Sequence, residues 1–292
     1  MKLLARVLLT FATIFPASLA ATICNGYASL CARTFDNVTF IGAHDSYAVD
    51  TDALDLSATQ NIDVTAQLDL GVRLLQVQGH LINNNHIELC HTNCELYDGG
   101  SLTAYLTAVV SWMNTHPTEV VTVLMTNQDD VAVNAEWLTA FDASGIAALA
   151  YIPPYMPLPR GQWPTLGQLI DSGRRAVLFL DYESDFQTVD FVFNEFSNVF
   201  ETPYDSTDST FPCSINRGVS GNMYLINHYL DTNILGILIP DRSAASTTNS
   251  VSSIFADAAG CANSVGGGRY PNFVLLDFVD QGDPFAAAKD LN

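Results

Sequence analysis

Two histidines and two aspartates, each at or beside the end of an apolar run, are the residues of this sequence best suited to chemistry. Phe40-Ile41-Gly42-Ala43-His44-Asp45-Ser46 reads as a short strand that delivers a His-Asp pair, and Ile87-Glu88-Leu89-Cys90-His91 delivers a second histidine. Far along the chain, Phe273–Leu276 ends in Asp277. Imidazole exchanges a proton near neutral pH, and a neighbouring carboxylate orients it and stabilises its cation. Two histidines with a carboxylate available to each suit acid–base work, one ring taking a proton from a nucleophile and the other giving one to a leaving group.

Further polar residues fall in or just after apolar runs: Gln76, Gln78, Asn127, Asp181, Asn227, His228 and Tyr229, all of which we expect to line a substrate site. Asp129 and Asp181, with Asp130 beside the first, are the candidate ligands for calcium or magnesium, because carboxylates on neighbouring strand ends can share a cation. Solvated acids on a very acidic chain are the plainer reading of that group. No cofactor is otherwise expected. Arg33, Arg73, Arg160 and Arg217 are the cations available to an anionic ligand, and Tyr182, Trp163, Phe211 and Tyr229 the aromatics available to a sugar ring.

Such residues converge only if the elements that carry them end on one face. The apolar runs alternate between strand and helix patterns. Val38–Ile41, Arg73–Gln78, Val120–Thr126, Ala176–Leu180, Met223–Ile226 and Phe273–Leu276 read as strands, with Ile87–Cys90 a short one after the second. Val64–Leu70, Leu102–His116, Asn134–Ala143, Thr165–Ser172 and Ser243–Ala259 read as helices, the second stopped by Pro117. Residues 183–222 are rich in Asp, Ser, Thr and Asn and read as an irregular excursion. This alternation predicts a parallel α/β barrel of the distorted (β/α)8 type, in which the carboxyl ends of the strands share one rim.

The first twenty residues stand apart. Lys2 and Arg6 precede the apolar stretch Val7–Ile14, and Ser18 and Ala20 occupy the −3 and −1 positions of a cleavage site. This is a secretory signal peptide by pattern, so residues 21–292 are expected to form one extracellular domain of about 270 residues. Without the peptide, nine basic residues face 31 acidic ones, a net charge of −22. Such a surface repels nucleic acid and anionic bilayers, so membrane contact is expected to be peripheral at most. All six cysteines lie beyond the peptide, and an even count in an exported chain implies disulfides with about 15 pairings open. Proximity favours Cys24–Cys31 and Cys90–Cys94, leaving Cys213–Cys261. Asn37-Val38-Thr39 is a glycan sequon.

In order and spacing these residues resemble the phosphatidylinositol-specific phospholipase C X-domain superfamily, in particular its small secreted fungal members. The likeness is carried by Gly42-Ala-His-Asp-Ser46, Gln67-Leu-x-x-Gly-Val-Arg73, the strand Leu74–Gly79, Glu88-Leu-Cys-His91, Trp112 with Glu119-Val-Val-Thr-Val-Leu124, and Asn272-Phe-Val-Leu-Leu-Asp-Phe278. It implies a distorted TIM barrel and phosphodiester cleavage. His44 then resembles the general base and His91 the general acid, with Asp277 paired to the first and Asp45 beside the second. The implied partner is a small phosphodiester or glycan-linked substrate acted on by a monomer.

One strand departs from the family. After the Gly-x-Arg motif, metal-free bacterial members carry an Asp and, two residues on, an Arg, whereas calcium-dependent members carry acidic ligands at both positions. Here they are Gln76 and Gln78. Glutamine neither neutralises phosphate nor holds a hard cation well. A cation from elsewhere, a different glycan or ester substrate, or a binding role without turnover are the three expectations that follow.

Overall fold

The computed structural model describes residues 20–49, 56–83, 85–91, 94–95, 97–219 and 222–292. Residues 1–19, within the expected signal peptide, lie outside them. Eight parallel strands build the frame: β1 (Phe40–Ala43), β2 (Leu74–Ile82), β3 (Val121–Asn127), β4 (Ala176–Leu180), β5 (Val192–Asn194), β6 (Val199–Glu201), β7 (Met223–Asn227) and β8 (Phe273–Leu276). Around the sheet they run β5-β4-β3-β2-β1-β8-β7-β6, so the first strand lies between the second and the last. No ladder joins β5 to β6, and the barrel is left open at that seam.

The alternation of side chains along each strand sorts them into two layers. Phe40, Leu74, Leu124, Phe179, Phe193, Met223, Leu225, Phe273 and Leu275 fill the interior. Ile41, Leu75, Val77, Val123, Leu178, Tyr224, Ile226 and Leu276 face outward onto the helices. Gly42 holds an interior position because a Cβ there would come within 2.8 Å of Leu74 Cδ2 and 3.1 Å of Leu275 Cδ1. Gly79 on β2 is closer still, with Trp137 Cη2 at 2.4 Å from where its Cβ would stand.

The outer layer includes α1 (Val64–Leu70), α2 (Leu102–Thr115), α3 (Leu138–Ser144), α4 (Leu166–Ser172), α5 (Ala245–Thr248), α6 (Val251–Ser264) and α7 (Pro284–Leu291). Their starts follow the local chemistry: Asp63, Ser101 and Ser250 cap through their side chains, and Thr165 with Gln168 forms a reciprocal capping box. Among the described residues no helix is long and apolar enough to cross a membrane.

Several elements stand where the residue pattern predicts them, α1, β4 and β8 to the residue. β1 starts two residues later than expected, and β2 starts one residue later and ends four residues later. The excursion over 183–222 is not wholly irregular, because it supplies β5 and β6. The helix expected over Ser243–Ala259 is two, broken at Asn249-Ser250. An antiparallel hairpin, Asp231–Ile234 with Ile237–Pro240, projects between β7 and α5 and has no counterpart in the sequence reading. Three disulfides close Cys24–Cys31, Cys90–Cys94 and Cys213–Cys261, as proximity suggests. Asn37 is exposed on a short turn of helix before β1.

Candidate active site

The inward register of the strands selects the site. Continuing the interior positions of each strand past its apolar residues reaches His44 after β1, Gln76 and Gln78 on β2, Thr126 on β3, Glu201 on β6, Asn227 on β7 and Asp277 after β8. All of these except Asp277 line a cavity of about 250 Å³ at the carboxyl end of the barrel, together with His91, Gln128, Tyr204, Asp205, Arg217 and Tyr229. Asp277 stands directly behind, through His44.

His44 Nδ1 lies 2.8 Å from Asp277 Oδ1, which leaves Nε2 toward the cavity. Its backbone is fixed as well, the carbonyl accepting from Gln60 Nε2 at 2.9 Å and Thr59 Oγ1 at 3.0 Å. Tyr229 stacks on the ring, 4.1 Å between centroids and 11° from parallel. His91 reaches the same cavity from the strand His86–Cys90, which doubles back antiparallel on the long end of β2. Its Nδ1 is 2.6 Å from the Ser57 carbonyl, so this ring too offers Nε2. The ring centroids of His44 and His91 are 6.4 Å apart.

Asp45 joins them. It is fully buried, and its Oδ2 is 3.6 Å from Nε2 of both His44 and His91. Gln78 Nε2 donates to that same oxygen at 2.8 Å, and Gln76 Oε1 accepts from the Asp45 N–H at 2.7 Å. The two glutamines thus clamp an aspartate whose φ of 38° lies in the left-handed region, where Asp is one of the few side chains at home. Burial alone would push the His44 pKa down, but Asp45 and Asp277 outweigh it and raise it to about 9. Burial keeps the Asp277 carboxyl above its ordinary value even with His44⁺ and its hydrogen bond pulling it down.

Arg217 supplies a cation on the opposite wall. A backbone bridge between Glu201 and Arg217 sets it in place, and Glu201 Oε2 accepts from its Nε at 2.9 Å. The guanidinium sits 4.6 Å over the Tyr204 ring. Burial opposes its charge, yet Glu201 and Glu195 together keep it firmly protonated. Nη1 has no hydrogen-bond partner among the described residues. The other arginines are elsewhere. Arg73 pairs with Glu119 at 2.7 Å, Arg33 holds the Asn292 carbonyl, and Arg160 lines no part of the cavity.

Three expected substrate residues do not line the cavity. Asn127 and His228 fall on the outward register. Asn127 closes a turn through Val131 and Tyr182, and His228 is buried against α6, with Nδ1 2.7 Å from Asp257 Oδ2. Asp181 points inward, but its Oδ1 accepts from the N–H groups of Asn127 and Tyr182 at 2.8 Å each. Of the four aromatics expected at the site, only Tyr229 lines the cavity; Trp163 is core, Phe211 packs on His228, and Tyr182 lies against Phe196. The sequence reading missed Thr126, Gln128, Glu201, Tyr204 and Asp205. The first two follow from strand alternation, and the others were hidden in the unrecognised β6 and the loop after it.

The donor set does not fit a hard divalent cation. Gln76 and Gln78 are turned to Asp45, and Asp129 accepts from the Leu81 N–H at 2.7 Å. The one three-residue metal-like cluster among the described residues is Cys213, Asp257 and Cys261, whose sulfurs are joined.

A family model described as PI-PLC X 1 matches residues 30–292. The chain belongs to the PI-PLC X family. It is 41% identical over 279 residues to PI-PLC X domain-containing protein 1 of Arthroderma benhamiae, covering 92% of this chain and 89% of that protein. A second protein of that fungus, described as secreted, is 37% identical over 287 residues, covering 92% of this chain and 64% of its own. Among solved structures, the phosphatidylinositol-specific phospholipase C of Listeria monocytogenes superposes with a TM-score of 0.59 at 13% identity, over 90% of this chain and 95% of that one. That likeness gives the PI-PLC fold, here a parallel barrel with outer helices and an open seam.

Proposed function

We propose that this PI-PLC X protein is an exported phosphodiesterase, a monomer that uses His44 as general base and His91 as general acid. The observation that carries it is the pair of imidazoles, both presenting Nε2 to one cavity and both within 3.6 Å of Asp45 Oδ2. A phosphodiester between the rings would lose a hydroxyl proton to His44 as that oxygen bonds to phosphorus. The leaving oxygen departs with a proton from His91. If the attacking hydroxyl belongs to the substrate, its proximity supplies much of the rate and the product is a cyclic ester. Arg217 Nη1 provides the positive charge that Gln76 and Gln78 do not, so no metal enters a step.

Export is supported by the signal pattern and the secreted relative; nucleic acid is disfavoured as a partner by the acidic charge. The test is hydrolysis of a panel of soluble phosphodiesters, including glycan-linked ones, with and without chelator. His44→Ala and His91→Ala should each lower kcat/KM by about 10²–10⁴ at unchanged chelator response. Equal non-zero rates for wild type and His44→Ala would remove His44 from the reaction, and no turnover by either would replace catalysis with a binding role.

A further inference from the structure

The barrel has no ladder between β5 and β6, and two acidic side chains stand at that gap. Phe193 on β5 and Val199 on β6 point into the barrel, so Glu195 and Glu201, two residues on from each, take the same inward register. Both are buried, at 1% and 2% exposure. The backbone of Glu195 is pinned: its N–H donates to the Leu180 carbonyl at 3.0 Å, and its own carbonyl accepts from the N–H groups of Asn198 at 2.8 Å and Val199 at 2.7 Å. The side chains of the two acids meet different partners. Glu201 Oε2 accepts from Arg217 Nε at 2.9 Å and from Asn227 Nδ2 at 3.5 Å. Asp181, a third acid near the guanidinium, accepts from two backbone N–H groups. Glu195 Oε1 is closed off from water and accepts from no described N–H or hydroxyl, and the side chain that its carboxyl hydrogen-bonds is that of Glu201.

Two carboxyl groups in buried contact cannot both ionise, and a hydrogen bond between them needs a proton on one. Glu201 holds the guanidinium, whereas Glu195 has no donor at Oε1, so the proton belongs on Glu195. We infer that Glu195 is a carboxylic acid whose O–H donates to Glu201 across the seam, a positioning residue that holds Glu201, and through it Arg217, toward the cavity. Glu195 itself lines no part of that cavity. Burial and the Glu201 charge keep its pKa well above the usual carboxyl range, with Arg217 offsetting only part. Glu201 is then gripped from two sides, by the guanidinium and by the acid. The proton also leaves one negative charge rather than two in this pair, so the positive charge of Arg217 is not outweighed where Nη1 faces the cavity. Neutral glutamine can make the same donation, whereas leucine is neutral and donates nothing.

The role of Arg217 rests on the reaction proposed above, whereas the proton on Glu195 can be read without ligand or turnover. At neutral pH the infrared difference spectrum between wild type and Glu195→Gln should show the carbonyl stretch of a protonated carboxylic acid in wild type alone. The Arg217 Nε–H resonance, assigned by its loss in Arg217→Lys, should stay in place in Glu195→Gln and shift or broaden in Glu195→Leu. Dimethyl phosphate, a diester monoanion, is then titrated into each protein by calorimetry. Its affinity should stay within about threefold of wild type in Glu195→Gln. In Glu195→Leu it should fall at least about tenfold, the loss of one hydrogen bond to a charged group. Melting curves for both variants verify the fold, and the infrared comparison needs only Glu195→Gln. A missing carboxylic-acid band, or an Arg217 resonance unmoved in Glu195→Leu, would overturn the inference. So would Glu195→Gln behaving as Glu195→Leu does. Wild type that leaves dimethyl phosphate unbound, with band and resonance as expected, would sink the phosphodiesterase reading and leave the acid pair standing.

Discussion

His44 stands between two carboxylates, and this sets the protonation state in which it meets substrate. With a pKa near 9 the free protein holds His44 as imidazolium at neutral pH, so the neutral form the proposed base role needs accumulates only as pH rises. The kcat/KM profile of a soluble substrate should therefore climb from pH 7 to about 9, because this parameter reports ionisations of the free enzyme. Asp277→Asn removes one of the charges that raise it, with Asp45 and Asp231 remaining, and should move that rising limb to lower pH while lowering the plateau. A flat profile in both proteins would remove His44 from the base role. Arg217→Ala should cost about 10²–10³ in kcat, the usual loss when a preorganised charge stabiliser is deleted, and Arg217→Lys should restore part of it. At this scale the sequence makes His44, His91, Asp45 and Asp277 recognisable, because each lies at or next to the end of an apolar run. Arg217 was only one candidate cation among four. Its position depends on a bridge to Glu201 in a segment with no apolar run to announce it.

The strand is the element whose register decides what reaches the cavity. Residues of one parity on β2 serve the site and those of the other serve the core, so a one-residue error exchanges the two sets. That is why Asn227 lines the cavity and His228, its neighbour, does not. Buried between β7 and α6, His228 has Asp257 Oδ2 at 2.7 Å on one nitrogen and the Thr248 carbonyl at 3.0 Å from the other. His228→Ala would leave Asp257 buried and unpaired, and should destabilise the fold by roughly 3–5 kcal/mol. Thermal melts should register this, while the rate of the protein that remains folded changes little, the opposite of His44→Ala. β5 and β6 escaped the sequence reading because three residues are too few to display a period. The hairpin escaped because its aliphatic run lacks the alternation of a half-buried strand.

For the whole molecule, charge and pH pull in one direction. The folded pKa of His44, about 9, lies above its ordinary 6.5, so its contribution to stability is complete below pH 6.5 and is lost as pH rises through 9. Burial raises Asp231 to about 7 and Asp181 to about 6, and these carboxyls also hold protons more tightly folded than unfolded. Each makes stability fall as pH rises from its ordinary 3.8 toward its folded value. Self-repulsion among 31 acidic residues adds to the trend. Melting temperature should be higher at pH 5 than at pH 9, and a melting temperature that increases over that range would contradict the assignment of these groups. Architecture at this scale was readable because the β/α alternation leaves few arrangements, whereas the open seam depends on strands too short to see. The position of β1 between β2 and β8 has a further consequence, in time. The first strand cannot gain its second neighbour until residues 273–276 have been made, so the middle of the sheet is joined from the two ends of the chain. Contacts that span this much sequence form late and slowly. The hydrogen bond between His44 and Asp277 is among them, so this pair assembles only once the last strand has docked.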